Sequence, residues 1–261
     1  MLPWQRRKQE WVRELAELAP DLIVNTGDNL GHPGTLPAVQ RALEPLLDVP
    51  GVFVFGSNDY FAPKPKNPAS YLFPAAGQSD GEASPDKPDL PIRELRALLS
   101  SGRWADLNNA RATLTVRGTR VSAVGLGDPH IGLAAMPAPP HIGEGGEPAD
   151  LHLGVTHAPY TRALDALRGD GADLLLAGHT HGGQLRVPGY GALVTNCDLD
   201  TGRARGLHGW PGPRPDAAAG GASTWLHVSA GMGTSMYAPV RFACRPEVSL
   251  LQLVARPSEA E

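Results

Sequence analysis

The sequence contains few cysteines and few aromatic residues. Cys197 and Cys244 are the two cysteines among 261 residues, and aromatic side chains make up 6% of the chain. Two cysteines are too few for a disulfide framework, and they lack the C-x-x-C spacing of zinc or redox motifs. We therefore expect both to be small apolar side chains, which excludes disulfide-stapled and cysteine-zinc folds.

An excess of positive charge is also absent. The chain has 23 lysines and arginines against 27 aspartates and glutamates, a formal net charge of -4. Proteins that hold a nucleic-acid backbone carry clustered basic residues, and no basic cluster interleaved with aromatic residues occurs here. We therefore expect no nucleic-acid partner.

Long apolar runs are missing as well. No stretch approaches the roughly 18 apolar residues that cross a bilayer, and no apolar segment follows the charged N-terminus. The sequence predicts a cytoplasmic protein, or one peripheral at a membrane, with no transmembrane segment. Because 41% of the residues are hydrophobic, the chain can bury one sizeable core, and we predict a single domain over residues 1–261.

Two histidines one residue apart follow an apolar run near the middle of the chain. His179 and His181 lie in Gly178-His179-Thr180-His181-Gly182-Gly183. Side chains at i and i+2 of an extended segment point to the same side, and neutral imidazole is a common ligand of zinc, manganese and iron. A polar turn after a strand is the alternative, and the motif alone does not decide between the two.

Three earlier apolar runs also end in polar side chains. The first leads to Asp28, the second to Gly56-Ser57-Asn58-Asp59, and the third to His157. Parallel strands of an α/β sheet place their carboxyl ends along one edge, where ligands bind. The four runs together therefore predict one site.

Helical and strand patterns alternate along the chain. Residues 4–18 and 37–47 carry apolar residues at helical spacing, each followed by a strand, and this order predicts a parallel pair with Asp28 and Asn58 at the same edge. Residues 112–116 and 120–124 predict a hairpin. Residues 62–91 and 202–221 are rich in Pro and Gly and predict loop excursions. Residues 185–187, 192–195, 225–229 and 248–254 predict short strands of a second sheet.

These motifs resemble those of the calcineurin-like metallophosphoesterase superfamily, which read D-x-H, G-D, G-N-H-[DE], H and G-H-x-H. Gly27-Asp28, Gly56-Ser57-Asn58-Asp59, His157 and Gly178-His179-Thr180-His181 follow this order. The tail from Val228 to Gly233, with Arg241, is similar to the branch related to bacterial phosphodiesterases and UDP-diacylglucosamine pyrophosphohydrolases. The resemblance implies an α/β fold, a four-layer α/β/β/α sandwich of two mixed β-sheets flanked by helices.

The opening D-x-H motif of that superfamily is missing, because no Asp-x-His occurs before Asp28. Either Met1 is a truncated start or the protein lacks two ligands of one metal. We expect truncation, since a sheet without its first strand would expose an unpaired edge.

The second motif also departs from the pattern. Aligned without a gap, Ser57 replaces the ligand asparagine and Asn58 replaces the histidine that assists phosphate chemistry. A shift of one residue lets Asn58 keep the ligand role, which we expect because amide oxygen is the better ligand for a hard cation. Leaving-group protonation must then come from Asp59, another histidine or water.

The resemblance implies a hydrolase with a dinuclear centre of manganese, iron or zinc. Asp28 would bridge the two ions, Asn58, His157 and His179 would complete one, and His181 would bind the other, whose set is incomplete. Asn58 and Asp59 are the candidate catalytic residues. Asp128 and His130, in Gly127-Asp128-Pro129-His130, are a further candidate pair that either approaches substrate or starts an ordinary turn.

The expected substrate is a small-molecule or lipid-linked phosphoester, cleaved as a phosphodiester or pyrophosphate. Two alternatives remain. A weakened relative could bind a metal or phosphorylated ligand as a sensor or scaffold, and a mononuclear hydrolase could act on another ester or amide. The sequence does not predict an oligomeric state.

Overall fold

The computed structural model describes residues 1–63, 87–139, 148–234 and 239–255. Five α-helices occur in these ranges: α1 (Arg6–Glu14), α2 (Leu36–Leu43), α3 (Ser57–Tyr60), α4 (Ile92–Leu99) and α5 (Thr161–Gly169). Short 3-10 turns extend or connect them, at Leu15–Leu18, Pro33–Thr35, Glu44–Leu46, Pro129–Ile131, His181–Gly183 and Thr201–Arg203.

Three parallel strands form the first sheet, in the order β1 (Ile23–Asn25), β2 (Gly51–Phe53) and β3 (Trp104–Asp106). Strands β1 and β2 pair in parallel with Ile23 opposite Gly51, which confirms the predicted β-α-β unit. The two strands therefore end at the same edge, and the residues that follow them enter one region of the molecule.

The second sheet has six strands. Their bounds are β4 (Ala110–Val116), β5 (Thr119–Gly125), β6 (Leu151–Val155), β7 (Leu174–Ala177), β10 (Gly206–Trp210) and β11 (Thr224–Val228). They lie side by side in the order β10, β11, β7, β6, β5, β4. The four central strands are parallel to one another, and β4 and β10 are antiparallel at the two ends. The predicted hairpin is β4 with β5, so this part of the prediction is confirmed.

The two sheets pack face to face. Val52 and Val54 of the first sheet share one buried cluster with Val121, Leu153 and Leu176 of the second. Burial of such side chains contributes about 1.5–3 kcal/mol each. This interface is the centre of the fold.

Helices cover the outer faces of both sheets. Helices α1, α2 and α4 pack with Phe53 and Phe55 on the first sheet. Leu164 and Leu167 of α5 pack with Leu175 of the second sheet. The layers are therefore helix, sheet, sheet and helix, which confirms the expected four-layer architecture. Only the second sheet is mixed, because the described strands of the first are all parallel.

Two expectations for the last third of the chain are wrong. Residues 202–221 are not a simple loop, because β10 lies within them and pairs with β11. The glycines of β10 and the prolines that follow it suggested a loop, but pairing with β11 outweighs this local preference. Residues 248–255 contain no strand, and the small sheet of β8 (Arg186–Val187) and β9 (Gly191–Ala192) stands apart from the second sheet.

The remaining expectations concern the cysteines, the absence of a membrane-spanning segment and the loop at residues 62–91. Both cysteines are free thiols. In the ranges that the structure describes, no helix is long and apolar enough to span a membrane. Residues 64–86 of the expected excursion 62–91 lie outside the described residues.

Candidate active site

The side chains predicted from the strand exits meet at the carboxyl edges of the two sheets. Asp28 follows β1, Asn58 follows β2 and His157 follows β6. The Asn58 backbone N–H donates to Asp28 Oδ1 at 2.9 Å, and its side-chain amide donates to Oδ2 at 2.7 Å. The Nε2 atom of His157 lies 3.5 Å from Asp28 Oδ1. Residues from distant parts of the sequence are thus in contact.

His157 is held in one orientation by the backbone of the first sheet. Its ring is 1% exposed, and its Nδ1 lies 2.6 Å from the Thr26 carbonyl oxygen. A carbonyl only accepts, so Nδ1 carries the proton and Nε2 is directed at Asp28. Nε2 has no hydrogen-bond partner among the described contacts. Metal-binding histidines have this arrangement, in which the second ring nitrogen donates to a carbonyl or carboxylate.

The site attracts positive charge. Burial lowers the pKa of His157, but the carboxylates of Asp28 and Asp128 outweigh it and raise that pKa to about 10. The pKa of Asp28 lies well below its ordinary value because His157 and the Asn58 amide stabilise its charged form more than burial opposes it. A site that holds a proton this strongly also suits a divalent cation, which competes with protons for the same atoms.

Gly56 allows the two sheets to bring these groups together. A Cβ on Gly56 would lie 2.3 Å from Asp28 Oδ1 and 2.5 Å from His157 Nε2. Since real Cβ atoms do not approach other atoms this closely, any side chain at position 56 would displace the carboxylate or the imidazole. Glycine at this position is a requirement of the site.

Three of the five predicted ligands have a left-handed backbone. The φ angles are 61° for Asp28, 65° for His179 and 50° for His181. Such conformations are uncommon outside glycine and cost about 1–3 kcal/mol each. Their concentration at one edge indicates that the surrounding fold holds these side chains in place for function.

The two histidines after β7 take different positions. The His179 ring lies 5.2 Å from the His157 ring, and its Nε2 lies 3.1 Å from the Asn196 carbonyl oxygen. Burial, with His130 and His157 nearby, holds the pKa of His179 well below its usual range. Burial lowers the pKa of His181 to about 4 against the opposing Asp28 carboxylate. Both rings are therefore neutral and able to bind a cation.

The chain is similar to proteins of one known family. The profile of the calcineurin-like phosphoesterase family matches residues 5–183, more than half of the chain. The chain belongs to the calcineurin-like phosphoesterase family. The matched region contains Asp28, Asn58, His157, His179 and His181.

One relative is the phosphodiesterase YaeI of Escherichia coli strain K12. It is 34% identical over 100 residues, which are 38% of this chain and 31% of the relative. The match thus spans about a third of the relative's length.

Asp59, expected to be catalytic, has structural contacts in this family member. Its carboxylate is 0% exposed and accepts backbone N–H bonds from Asp28, Asn29, Leu30 and Gly56, at 2.6 to 3.1 Å. Burial and the neighbouring Asp28 raise its pKa to about 6. A carboxylate whose two oxygens hold the 28–30 turn is poorly placed to protonate a leaving group. The contacts favour a positioning role.

Two cations near the site were not predicted from the sequence as functional. Lys8 of α1 lines a cleft together with Asp28, Asn58 and His181. The half-buried Arg241 donates to the carbonyl oxygens of Ala230 at 2.7 Å, Gly233 at 2.6 Å and His181 at 3.3 Å. Lys8 had no sequence signal, because its position at the cleft depends on how α1 packs.

The larger described cavity, about 350 Å³, is elsewhere. It is lined by residues that precede β1, β2 and β3, including Asp21, Asp48 and Arg103, so it lies at the opposite edge of the sheet. Ligands of such folds bind at the carboxyl edge. This cavity is therefore a weaker candidate for the site than the carboxyl edge at Asp28.

The structure brings the predicted ligands together without forming a complete cage. Among the described residues, no three His, Cys, Asp or Glu side chains have the arrangement of a metal site. Asp28, Asn58 and His157 are in mutual contact around Asp28, and His179 is next to His157. The orphaned His157 Nε2 and the close approach at Gly56 fit a divalent cation at this position.

Proposed function

We propose that this family member is a metal-dependent phosphoesterase that hydrolyses a phosphodiester or pyrophosphate at a dinuclear centre. The observation that carries the proposal is His157, whose Nδ1 is fixed to the Thr26 carbonyl while its unpartnered Nε2 faces Asp28. Once a cation displaces the proton that the neighbouring carboxylates stabilise on His157, Nε2 offers a lone pair beside Asp28 in a buried setting, as metal ligation requires.

The ligand roles follow from position and donor type. Asp28 would bridge two cations because a carboxylate has lone pairs for both. Asn58, His157 and His179 would complete one site, and His181 would bind the other, for which this chain offers fewer ligands. Manganese, iron and zinc all suit mixed nitrogen and oxygen donors. When bound, the two ions would acidify a water and neutralise charge on the phosphoryl oxygens.

The chain's own residues orient these groups and attract the substrate. The contact of Asn58 with both oxygens of Asp28 supports Asn58, rather than Ser57, as the residue at the metal. Lys8 and Arg241 place positive charge near the cleft, which favours an anionic phosphoester. We assign Asp59 the role of holding the turn that presents Asp28, with Asn58 as the catalytic candidate that contacts substrate.

The substrate we propose is a small-molecule or lipid-linked phosphoester, met in the cytoplasm or at a membrane surface. Composition provides no basic cluster for nucleic acid.

A sensor or scaffold is the second candidate. It is favoured by Ser57-Asn58, which leaves no histidine in the motif for leaving-group chemistry, and by the incomplete ligand set of the described residues. The retained His157, His179 and His181 favour the enzyme instead.

A single substitution separates the two candidates. We expect His179→Ala to lower hydrolysis of bis(p-nitrophenyl) phosphate in Mn²⁺ by at least about 100-fold with the fold retained. His152→Ala is the matched control, because its ring is bonded to Asp170 at 3.0 Å near the start of β6, at the opposite edge of the sheet. Equal turnover of the wild type and His179→Ala would contradict the proposal, as would a wild type that binds Mn²⁺ without any turnover.

A further inference from the structure

Asp128 has a buried carboxylate oxygen without a partner. The residue is 0% exposed, and its Oδ1 accepts the His130 backbone N–H at 2.9 Å. Oδ2 has no hydrogen-bond partner among the described contacts. A buried carboxylate oxygen is strongly unfavourable unless a donor or a cation completes it. The fold retains this group without such a partner, which indicates a ligand.

Strand register places Asp128 beside His157. Strands β5 and β6 are parallel with Gly125 opposite Val155, and the Leu126 N–H donates to the Val155 carbonyl oxygen at 3.0 Å. Asp128 and His157 therefore leave neighbouring strands in the same direction, at the same edge. The charges of Asp128 and His157 also interact, which places the two side chains near each other at this edge.

His130 reaches the same region from the turn that follows Asp128. Its ring centroid lies 4.7 Å from that of His179, and its Nδ1 lies 3.0 Å from the Tyr160 hydroxyl oxygen. The short turn Pro129–Ile131 is fixed further by Arg162, which donates to the Pro129 carbonyl at 2.9 Å. One turn thus supplies a carboxylate and an imidazole to a site that already holds two histidines.

We propose that Asp128 and His130 are further ligands of the divalent cation held at His157 and His179. The inference rests on the metal centre of the proposed function and adds to its ligand set. It gives a role to the Asp-x-His at the exit of β5, in a chain that has no Asp-x-His before Asp28. Oxygen and imidazole donors together suit Mn²⁺ and Zn²⁺.

Metal affinity and stability test the proposal without measuring turnover. The full chain is stripped of metal and titrated with Mn²⁺ by calorimetry, and its melting temperature is recorded with and without the ion. The variants are Asp128→Asn and His130→Gln. The matched controls are Asp170→Asn and His152→Gln, because this pair is bonded at 3.0 Å near the opposite end of β6.

We expect Asp128→Asn and His130→Gln each to weaken Mn²⁺ binding at least about tenfold and to reduce the metal-induced rise in melting temperature. Metal-free Asp128→Asn should be no less stable than the wild type, because it removes an unpaired buried charge. The controls should keep wild-type affinity. Unchanged Mn²⁺ affinity in Asp128→Asn and His130→Gln would overturn this inference alone, whereas a wild type that binds no Mn²⁺ would overturn the proposed function as well.

Discussion

Substituting Gly56 by alanine tests whether the close approach of the two sheets creates the site. The backbone at Gly56 has φ -107° and ψ 171°, which any residue can adopt, so the new methyl group acts through crowding alone. It would lie 2.3 Å from Asp28 Oδ1 and 2.4 Å from His157 Cε1, whereas ordinary contact begins at 3.4 Å. To remove this clash, the new methyl group and Asp28 Oδ1 must move apart by about 1.1 Å, the difference between 3.4 and 2.3 Å.

A movement of that size should affect function more than folding. Overpacking costs about 1–3 kcal/mol of stability, and a misplacement of about 1 Å at a reacting centre costs about 100-fold in rate. We expect Gly56→Ala to remain folded, to bind Mn²⁺ more weakly and to lose about 100-fold in hydrolysis of bis(p-nitrophenyl) phosphate. The measurements are urea unfolding, calorimetric titration and steady-state rates.

Gly169→Ala is the control for the Gly56 substitution. Gly169 ends α5, and a Cβ at this position would have nothing within 4 Å, so alanine there should leave metal binding unchanged and alter stability by less than about 1 kcal/mol. Wild-type Mn²⁺ affinity in Gly56→Ala would show that Asp28 and His157 do not jointly form the site.

Three further predictions concern single side chains. Asp59→Asn should lower stability by at least about 2 kcal/mol in urea unfolding and weaken Mn²⁺ binding, because the turn at Asp28 loses a charged acceptor. If this variant loses turnover but keeps its stability and Mn²⁺ affinity, Asp59 is a general acid instead. Phe55→Ala should cost about 3–5 kcal/mol in urea unfolding, because this ring is fully buried, and a loss below about 1 kcal/mol would contradict the packing. Asp170 accepts hydrogen bonds from Arg111 and His152, and these hold the pKa of its carboxyl below the ordinary value. Its ionised form therefore stabilises the fold above about pH 4, and this contribution is lost as the pH falls through the lowered pKa. The stability gap between wild type and Asp170→Asn, measured by urea unfolding, should therefore shrink below about pH 4, and a gap independent of pH would refute the ion pair.

Much of the fold was predictable because its signals are local. Apolar runs at strand length and stripes at helical spacing predicted the β-α-β unit, the hairpin of β4 and β5 and the helices α1 and α2. The strand β10 was not predicted, since its two glycines and the prolines that follow it favour turns, and pairing with β11 makes it a strand. The prediction for residues 248–254 was wrong in the other direction, because an apolar run is a strand only where it pairs with another, and these residues pair with no described strand.

The sequence predicted which residues lie at the site better than it predicted the role of each residue. Polar residues at strand exits identified Asp28, Asn58 and His157, because parallel strands end at one edge. The contacts of Asp59 with four backbone amides could not be predicted, since they depend on how the 28–30 turn folds back onto α3. The same holds for Asp128, whose unpartnered oxygen is visible only once its surroundings are known.

By itself, the sequence determined the alternation of helices and strands, the family motifs and the residue types at the strand exits, because periodicity and motif spacing are properties of neighbouring residues. The four-layer arrangement was implied by the resemblance to the family. Tertiary structure alone decided which nitrogen of His157 faces Asp28, since the carbonyl that fixes this ring belongs to Thr26, 131 residues away. It also decided that Gly56 must lack a side chain. Hydrogen bonds and close contacts between distant segments depend on packing to a fraction of an ångström, which a linear pattern does not encode.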